Sequence, residues 1–193
     1  MSMRNIGGFI GGYIPSPGTG IAGQGNAGGT ARTYAGSGGG GAGSVGGSAY
    51  GTPIVQGGSG GTGLVSSISG AKVQYASGGG AGVFYATGGN TPPGFPGIGG
   101  PNAGNGGLGE SNNTSYTGNT PGTNGIANTG SGGGGGGGSN ASISSGGSGG
   151  SGTVIIRYSS YYAPPTAVTG SPSVSAAGGF RIYTWTGNGS ITF

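Results

Sequence analysis

Hydrophobic positions in this chain come in short islands set between glycines and serines, and nowhere do they recur at the 3.6-residue spacing of an amphipathic helix. The strongest island is Thr153-Val154-Ile155-Ile156-Arg157-Tyr158, a β-branched and aromatic run with turn-formers before it, which predicts a strand. It follows a segment of opposite character, in which Gly132 to Gly138 are consecutive glycines and a Ser/Gly spacer continues to Gly152. Weaker versions of this pairing fill the rest of the chain. Ala71-Lys72-Val73-Gln74-Tyr75-Ala76 alternates, with Val73 and Tyr75 on one face and Lys72 and Gln74 on the other, as a half-buried strand does. Gly78-Gly79-Gly80 leads on to Val83-Phe84-Tyr85-Ala86, and the two runs predict a hairpin-like unit. Phe180 to Phe193 predicts two short strands turning at Gly187-Asn188-Gly189.

Other islands, Ala31-Arg32-Thr33-Tyr34, Ser48-Ala49-Tyr50, Pro53-Ile54-Val55-Gln56 and Leu64-Val65-Ser66-Ser67-Ile68, are spaced through a loop-rich stretch. From Gly88 to Ala127 the chain reads as loop, because Pro92, Pro93, Pro96, Pro101 and Pro121 cannot donate to a sheet interior. The expected organisation is an N-terminal docking arm at 1–24, a glycine-rich β domain at 25–158, and a linker with a C-terminal β-hairpin or strand at 159–193. The arm carries Ile6, Phe9, Ile10 and Tyr13 between glycine pairs and closes at Pro15 and Pro17. Tyr161-Tyr162-Ala163-Pro164-Pro165 reads as a hinge.

Composition sharpens this picture. Glycine supplies 60 of 193 residues and proline 11, against about 7% glycine in ordinary proteins. Low-complexity disordered chains share that bias, but they also carry Lys, Glu and Gln for solvation, which are scarce here. Each ordered residue costs roughly 1–2 kcal/mol of backbone entropy, so main-chain hydrogen bonding and assembly must supply what side chains cannot. Without Cβ atoms, extended polyglycine segments can lie side by side and bond laterally. The expected fold is therefore all-β: an irregular, glycine-rich, sandwich-like domain with extended polyglycine-type segments, long loops and essentially no α-helix, ordered in part by neighbouring chains.

Charge is nearly absent: Arg4, Arg32, Lys72, Arg157 and Arg181 face only Glu110. Five scattered cations make no patch for phosphates, so nucleic acid is not an expected partner. No apolar run approaches the roughly 18 residues of a membrane span. With no His, Asp or Cys and a single Glu, no acid–base pair, nucleophilic triad, paired-carboxylate site or metal cluster can be assembled within the chain. The many GxGxxG matches follow from glycine content, and no GK[ST] accompanies them. The chain is expected to have no catalytic residues, cofactor or metal. Asn112, Asn113, Asn140 and Asn188 each open an N-x-S/T triplet, a frequent coincidence in polar loops.

The order SSISGAKVQYASGGGAG, then NTGSGGGGGGG, then GGSGGSGTVIIRY over residues 58–158 resembles the glycine-rich domain of phage tail-fibre and virion structural proteins. The tail GGFRIYTWTGNGSITF looks like the strand that opens such domains, here placed after the glycine block, which suggests a swapped or permuted strand. The resemblance implies a virion component at the particle surface, bound to other virion proteins and homo-oligomeric, with a trimer as the expected state. A tail-fibre adhesin would bind host-surface glycans through Tyr85, Phe95, Asn112, Asn113 and Tyr116, aromatic faces on sugars and amides on hydroxyls. A capsid decoration or fibre scaffold would instead use Ile6, Phe9, Ile10, Tyr13, Phe180, Tyr183, Trp185 and Phe193 as assembly contacts. A silk-like matrix protein is a third reading, for which the repeats are too loose.

Overall fold

The computed structural model describes residues 16–51, 54–85, 94–109, 118–139 and 142–193. It is all-β, with no helix among these residues. The strands are β1 (Leu64–Ser66), β2 (Val73–Tyr75), β3 (Phe84–Tyr85), β4 (Gly138–Ser139), β5 (Val154–Ser159), β6 (Ala167–Thr169), β7 (Ser173–Ala177), β8 (Phe180–Trp185) and β9 (Ser190–Thr192). They form small separate sheets, β1-β2, β3-β4, β5-β8-β7 and β6-β9.

Most of the chain up to residue 151 is not strand but a bundle of extended segments running alternately up and down. Their main chains bond to one another at every third residue. Asn26, Gly29 and Arg32 N–H donate to the carbonyls of Gly41, Gly38 and Ala35. Gly36, Gly39 and Ala42 donate to Gly82, Gly79 and Ala76, and Gly132, Gly135 and Gly138 to Ser77, Gly80 and Val83. Ile126, Thr123 and Thr120 donate to Asn102, Asn105 and Leu108 in the same way. A three-residue repeat is the period of the polyproline II helix, which has no internal hydrogen bonds and so leaves every main-chain group to its neighbours. The consecutive glycines sit in the middle of this arrangement. Residues 131–139 bond to 76–83 and 104–107 on one side and to 120–123 and 144–150 on the other.

Glycine is required by the closeness of the segments. A Cβ on Gly79 would strike the carbonyl oxygen of Gly133, and one on Gly134 would strike that of Asn105. The side chains buried within the bundle are mostly small, among them Ala49, Ala81, Ser77 and Ser131.

The predicted pairing of 71–76 with 83–86 does not form. β2 pairs instead with β1, Leu64 opposite Tyr75 and Ser66 opposite Val73, and β3 lies parallel to β4. The reason lies in residues 76–83: they do not turn back but cross the full height of the bundle as one of its extended segments, carrying β2 and β3 to opposite ends.

After residue 151 the chain changes character. β8 lies between β5 and β7, with Ile156 opposite Tyr183 and Val174 opposite Tyr183 on the other edge. The strand that follows the glycine-rich block and the C-terminal strand therefore pair within this chain. The predicted hairpin at Gly187–Gly189 is also replaced. β8 turns back on β7 through Gly178-Gly179, both at positive φ (56° and 78°), the two-residue primed turn that glycine pairs favour. The chain then passes from β8 through Gly187–Gly189 to β9, which pairs with β6. The Trp185 indole N–H donates to the Thr169 carbonyl at 2.9 Å and ties the two sheets together.

The faces of β8 divide the packing. Tyr183 and Trp185 stack at 6.0 Å, Tyr183 stacks on Tyr158 at 6.1 Å, and Phe193 meets Tyr158 edge-on at 5.1 Å. On the opposite face, the Arg157 guanidinium lies 4.0 Å from the Phe180 ring centre and donates to the Ser67 carbonyl at 3.0 Å. That contact fastens the sheet to the residues between β1 and β2, where Gly70 also approaches Ile182. Ile182, Tyr183 and Trp185 are buried. Of the proposed assembly contacts, Tyr183 and Trp185 are thus enclosed by the chain itself, Phe180 is half-buried under Arg157, and Phe193 is largely exposed. Ile6, Phe9, Ile10 and Tyr13 lie outside the described residues.

Candidate functional site

Alternation of direction in the bundle sorts its turns into two sets. The turns at 42–44, 100–103 and 126–130, together with β1-β2, lie at the end that receives the C-terminal sheets. The turn at 32–35, the Tyr50–Gln56 pair, the ends of β3 and β4, and the start of the segment at 95 gather at the opposite, apical end. Bridges pin this end together: Ala35 with Val83, Tyr50 with Gln56, Gln56 with Phe95, and Gly138 with Ile143. Just beneath it Ala35, Ala49 and Val83 form a small buried cluster, with Val55 packed against it.

Aromatic side chains converge on the apical end. Tyr34 is placed by its carbonyl, which accepts from Phe84 N–H at 2.8 Å, and its ring stacks on Phe84 at 6.1 Å. Tyr50 is set by reciprocal bonds with Gln56 at 3.0 and 2.7 Å. Phe95 is held by donation from its N–H to Val55 and acceptance from Gly57. Tyr34, Tyr50 and Phe95 expose 41%, 57% and 60% of their surface, enough that none is committed to a core. Tyr85 is half-buried beside them. Tyr34 also has φ at +69°, a conformation that a bulky residue adopts only under constraint from its surroundings. Such strain concentrates at ligand-contacting positions.

Of the residues expected to contact a receptor, the structure brings Tyr85 and Phe95 to this end. Asn112, Asn113 and Tyr116 lie outside the described residues. Tyr34, Tyr50 and Phe84 were visible as aromatic members of separate islands, but nothing in local sequence says that positions 34, 50, 84 and 95 meet. That follows only from counting the three-residue register through successive segments.

Chemically the end offers ring faces, tyrosine hydroxyls and the exposed Arg32. Among the described residues no group of His, Cys, Asp or Glu could hold a metal ion, and no helix is long and apolar enough to cross a membrane. No family model, curated protein or solved structure matches the chain.

Proposed function

We propose that this chain is a virion structural protein of the tail-fibre or adhesin kind, and that it attaches to host-surface glycans through its apical end. The supporting observation is the collection of exposed rings at Tyr34, Tyr50 and Phe95 at the end of the bundle facing away from the C-terminal sheets. Aromatic faces offer broad apolar contact at low entropic cost, and tyrosine hydroxyls add hydrogen bonds to a sugar's hydroxyl groups. The C-terminal sheets, at the far end, are free to engage other virion proteins.

The test is a Tyr34→Ala, Tyr50→Ala, Phe95→Ala triple variant, assayed for retention on bacterial surface polysaccharide. Because all three side chains are well exposed, folding should persist, while affinity should fall by about tenfold or more, the scale of losing central aromatic contacts. Tyr161→Ala, which removes a 92% exposed ring from the other end, should leave retention unchanged. Undiminished retention of the triple variant, or equal loss in Tyr161→Ala, would rule out the apical assignment.

A further inference from the structure

A groove of about 720 Å³ runs along the side of the bundle, between the segments at 36–42, 76–82 and 130–138. Its lining is almost entirely main chain. Along each wall the residues whose N–H groups have no partner recur at the bundle's own spacing: Ser37 and Gly40, Gly79 and Gly82, Gly133 and Gly136. The carbonyls of Ser37, Gly40, Gly133 and Gly136 accept no main-chain hydrogen bond either. The residues between them are fully engaged with neighbouring segments, as at Gly39, Gly80 and Gly135.

Elsewhere on the bundle, amides that lack a main-chain acceptor either belong to exposed residues, as at Val45, Ser48, Gly146 and Gly149, or are taken up by side chains. Asn105 N–H donates to Thr123 Oγ1, Leu108 N–H to Thr120 Oγ1, Ser148 N–H to Asn124 Oδ1 and Thr62 N–H to Ser44 Oγ, all at 2.7–2.9 Å. The groove has no such closure. What distinguishes it is that three rows of unpaired amides line one concavity.

We infer that this groove binds one more extended glycine-rich segment, supplied by a partner polypeptide. Two features choose the occupant. Successive free amides along one wall are three residues apart, about 9 Å at the 3.1 Å rise of a polyproline II helix, so a strand or an α-helix would fall out of step with them. The segment at 76–82 also packs closely on the wall at 130–138, so that a Cβ on Gly79 or Gly82 would strike the carbonyl oxygen of Gly133 or Gly136, and a segment with few Cβ atoms on its inner faces comes nearest to their amides. The contact is therefore main chain to main chain, selective for backbone form and glycine content and indifferent to charge.

The test uses the full chain and a soluble peptide copying residues 129–139, flanked by lysines. In the free chain, amide hydrogen exchange at Ser37, Gly40, Gly79, Gly82, Gly133 and Gly136 should be fast while Gly39, Gly80 and Gly135 are protected. Saturation with the peptide should slow the first set about tenfold, the factor expected of one net hydrogen bond. A peptide of the same length with alanine at every glycine should have no effect. Ser37→Tyr, which enlarges an existing side chain at the groove wall, should abolish the peptide's effect with β8 exchange unchanged. Protection already present in the free chain and released by deleting residues 1–15 would overturn the inference by making the occupant the chain's own arm. Unchanged exchange with the glycine peptide would overturn it outright.

Discussion

In the bundle, residues 76–83 bond to several neighbouring segments, yet Val83 is their only large side chain, and what meets there is mostly carbonyl and Cα. In the C-terminal region, β8 is enclosed by two strands and a covering sheet, and what meets there is Ile182, Tyr183 and Trp185. The first region is ordered by hydrogen bonds that any residue could make, provided nothing projects from the backbone. The second is ordered by apolar area, worth about 25 cal/mol per Å² removed from water. One chain thus holds two cores with opposite sensitivities: adding atoms damages one, removing them damages the other.

The strongest way to break the comparison is Trp185→Ala. It removes a buried ring, its stack on Tyr183 and the bond to Thr169 that ties the two sheets, and should cost about 3–5 kcal/mol. Measured by amide exchange, the loss should appear in β5, β7 and β8 and leave the bundle amides protected. Next comes Gly134→Ala, a single added methyl that meets the Asn105 carbonyl. It should cost about 1–3 kcal/mol, the scale of overpacking, with the exchange pattern reversed: bundle affected, β8 spared. Equal spread of either effect through both regions would show a single cooperative core.

Arg157→Ala probes the joint between the regions. It removes the contact over Phe180 and the bond to Ser67, together worth on the order of 1–2 kcal/mol. Denaturation followed separately by Trp185 fluorescence and by bundle amide exchange should then show two transitions moving apart.

The smallest effects concern pH. The chain has no His or Asp and only Glu110, so stability should stay nearly flat from pH 7 to pH 3, where carboxylates usually drive acid unfolding. At the alkaline end, burial raises the pKa of Tyr158 above its ordinary 10.0; Tyr183 adds to the shift and Arg181 opposes it. A raised folded pKa means that the neutral hydroxyl favours folding, so this contribution is intact below pH 10 and disappears as pH climbs through the folded value. Thermal melts across pH 8–12 should show the C-terminal sheets weakening.

Much of this fold was legible from residue chemistry. A chain with so few Cβ atoms and so few charges has lateral main-chain bonding as its available route to order, and that route is the one taken. The strand at Thr153–Tyr158 was equally plain from its β-branched run. The errors occurred where pairing depended on partners distant in sequence. Ser173–Ala177 has small side chains and little strand signal, yet it becomes β7 because Gly178-Gly179 turns the chain tightly onto β8. Gly187-Asn188-Gly189 has an orthodox hairpin signal but leads β9 to β6, drawn there by sheet pairing and by Trp185 beneath the loop. Tyr85 and Phe95 read as site residues from their place in or beside loops, whereas Tyr34, Tyr50 and Phe84 required knowing which ends of the segments coincide.

The every-third-residue bonding has a consequence for how such a molecule can diversify. Because the ties run between peptide groups, the shaft does not depend on which side chains the far tip exposes, such as Tyr34, Tyr50 and Phe95. Residues presented there can be exchanged, and the connections lengthened, with no compensating change in the shaft. The molecule separates what it displays from what keeps it upright, so new surface specificities can arise on an unaltered support.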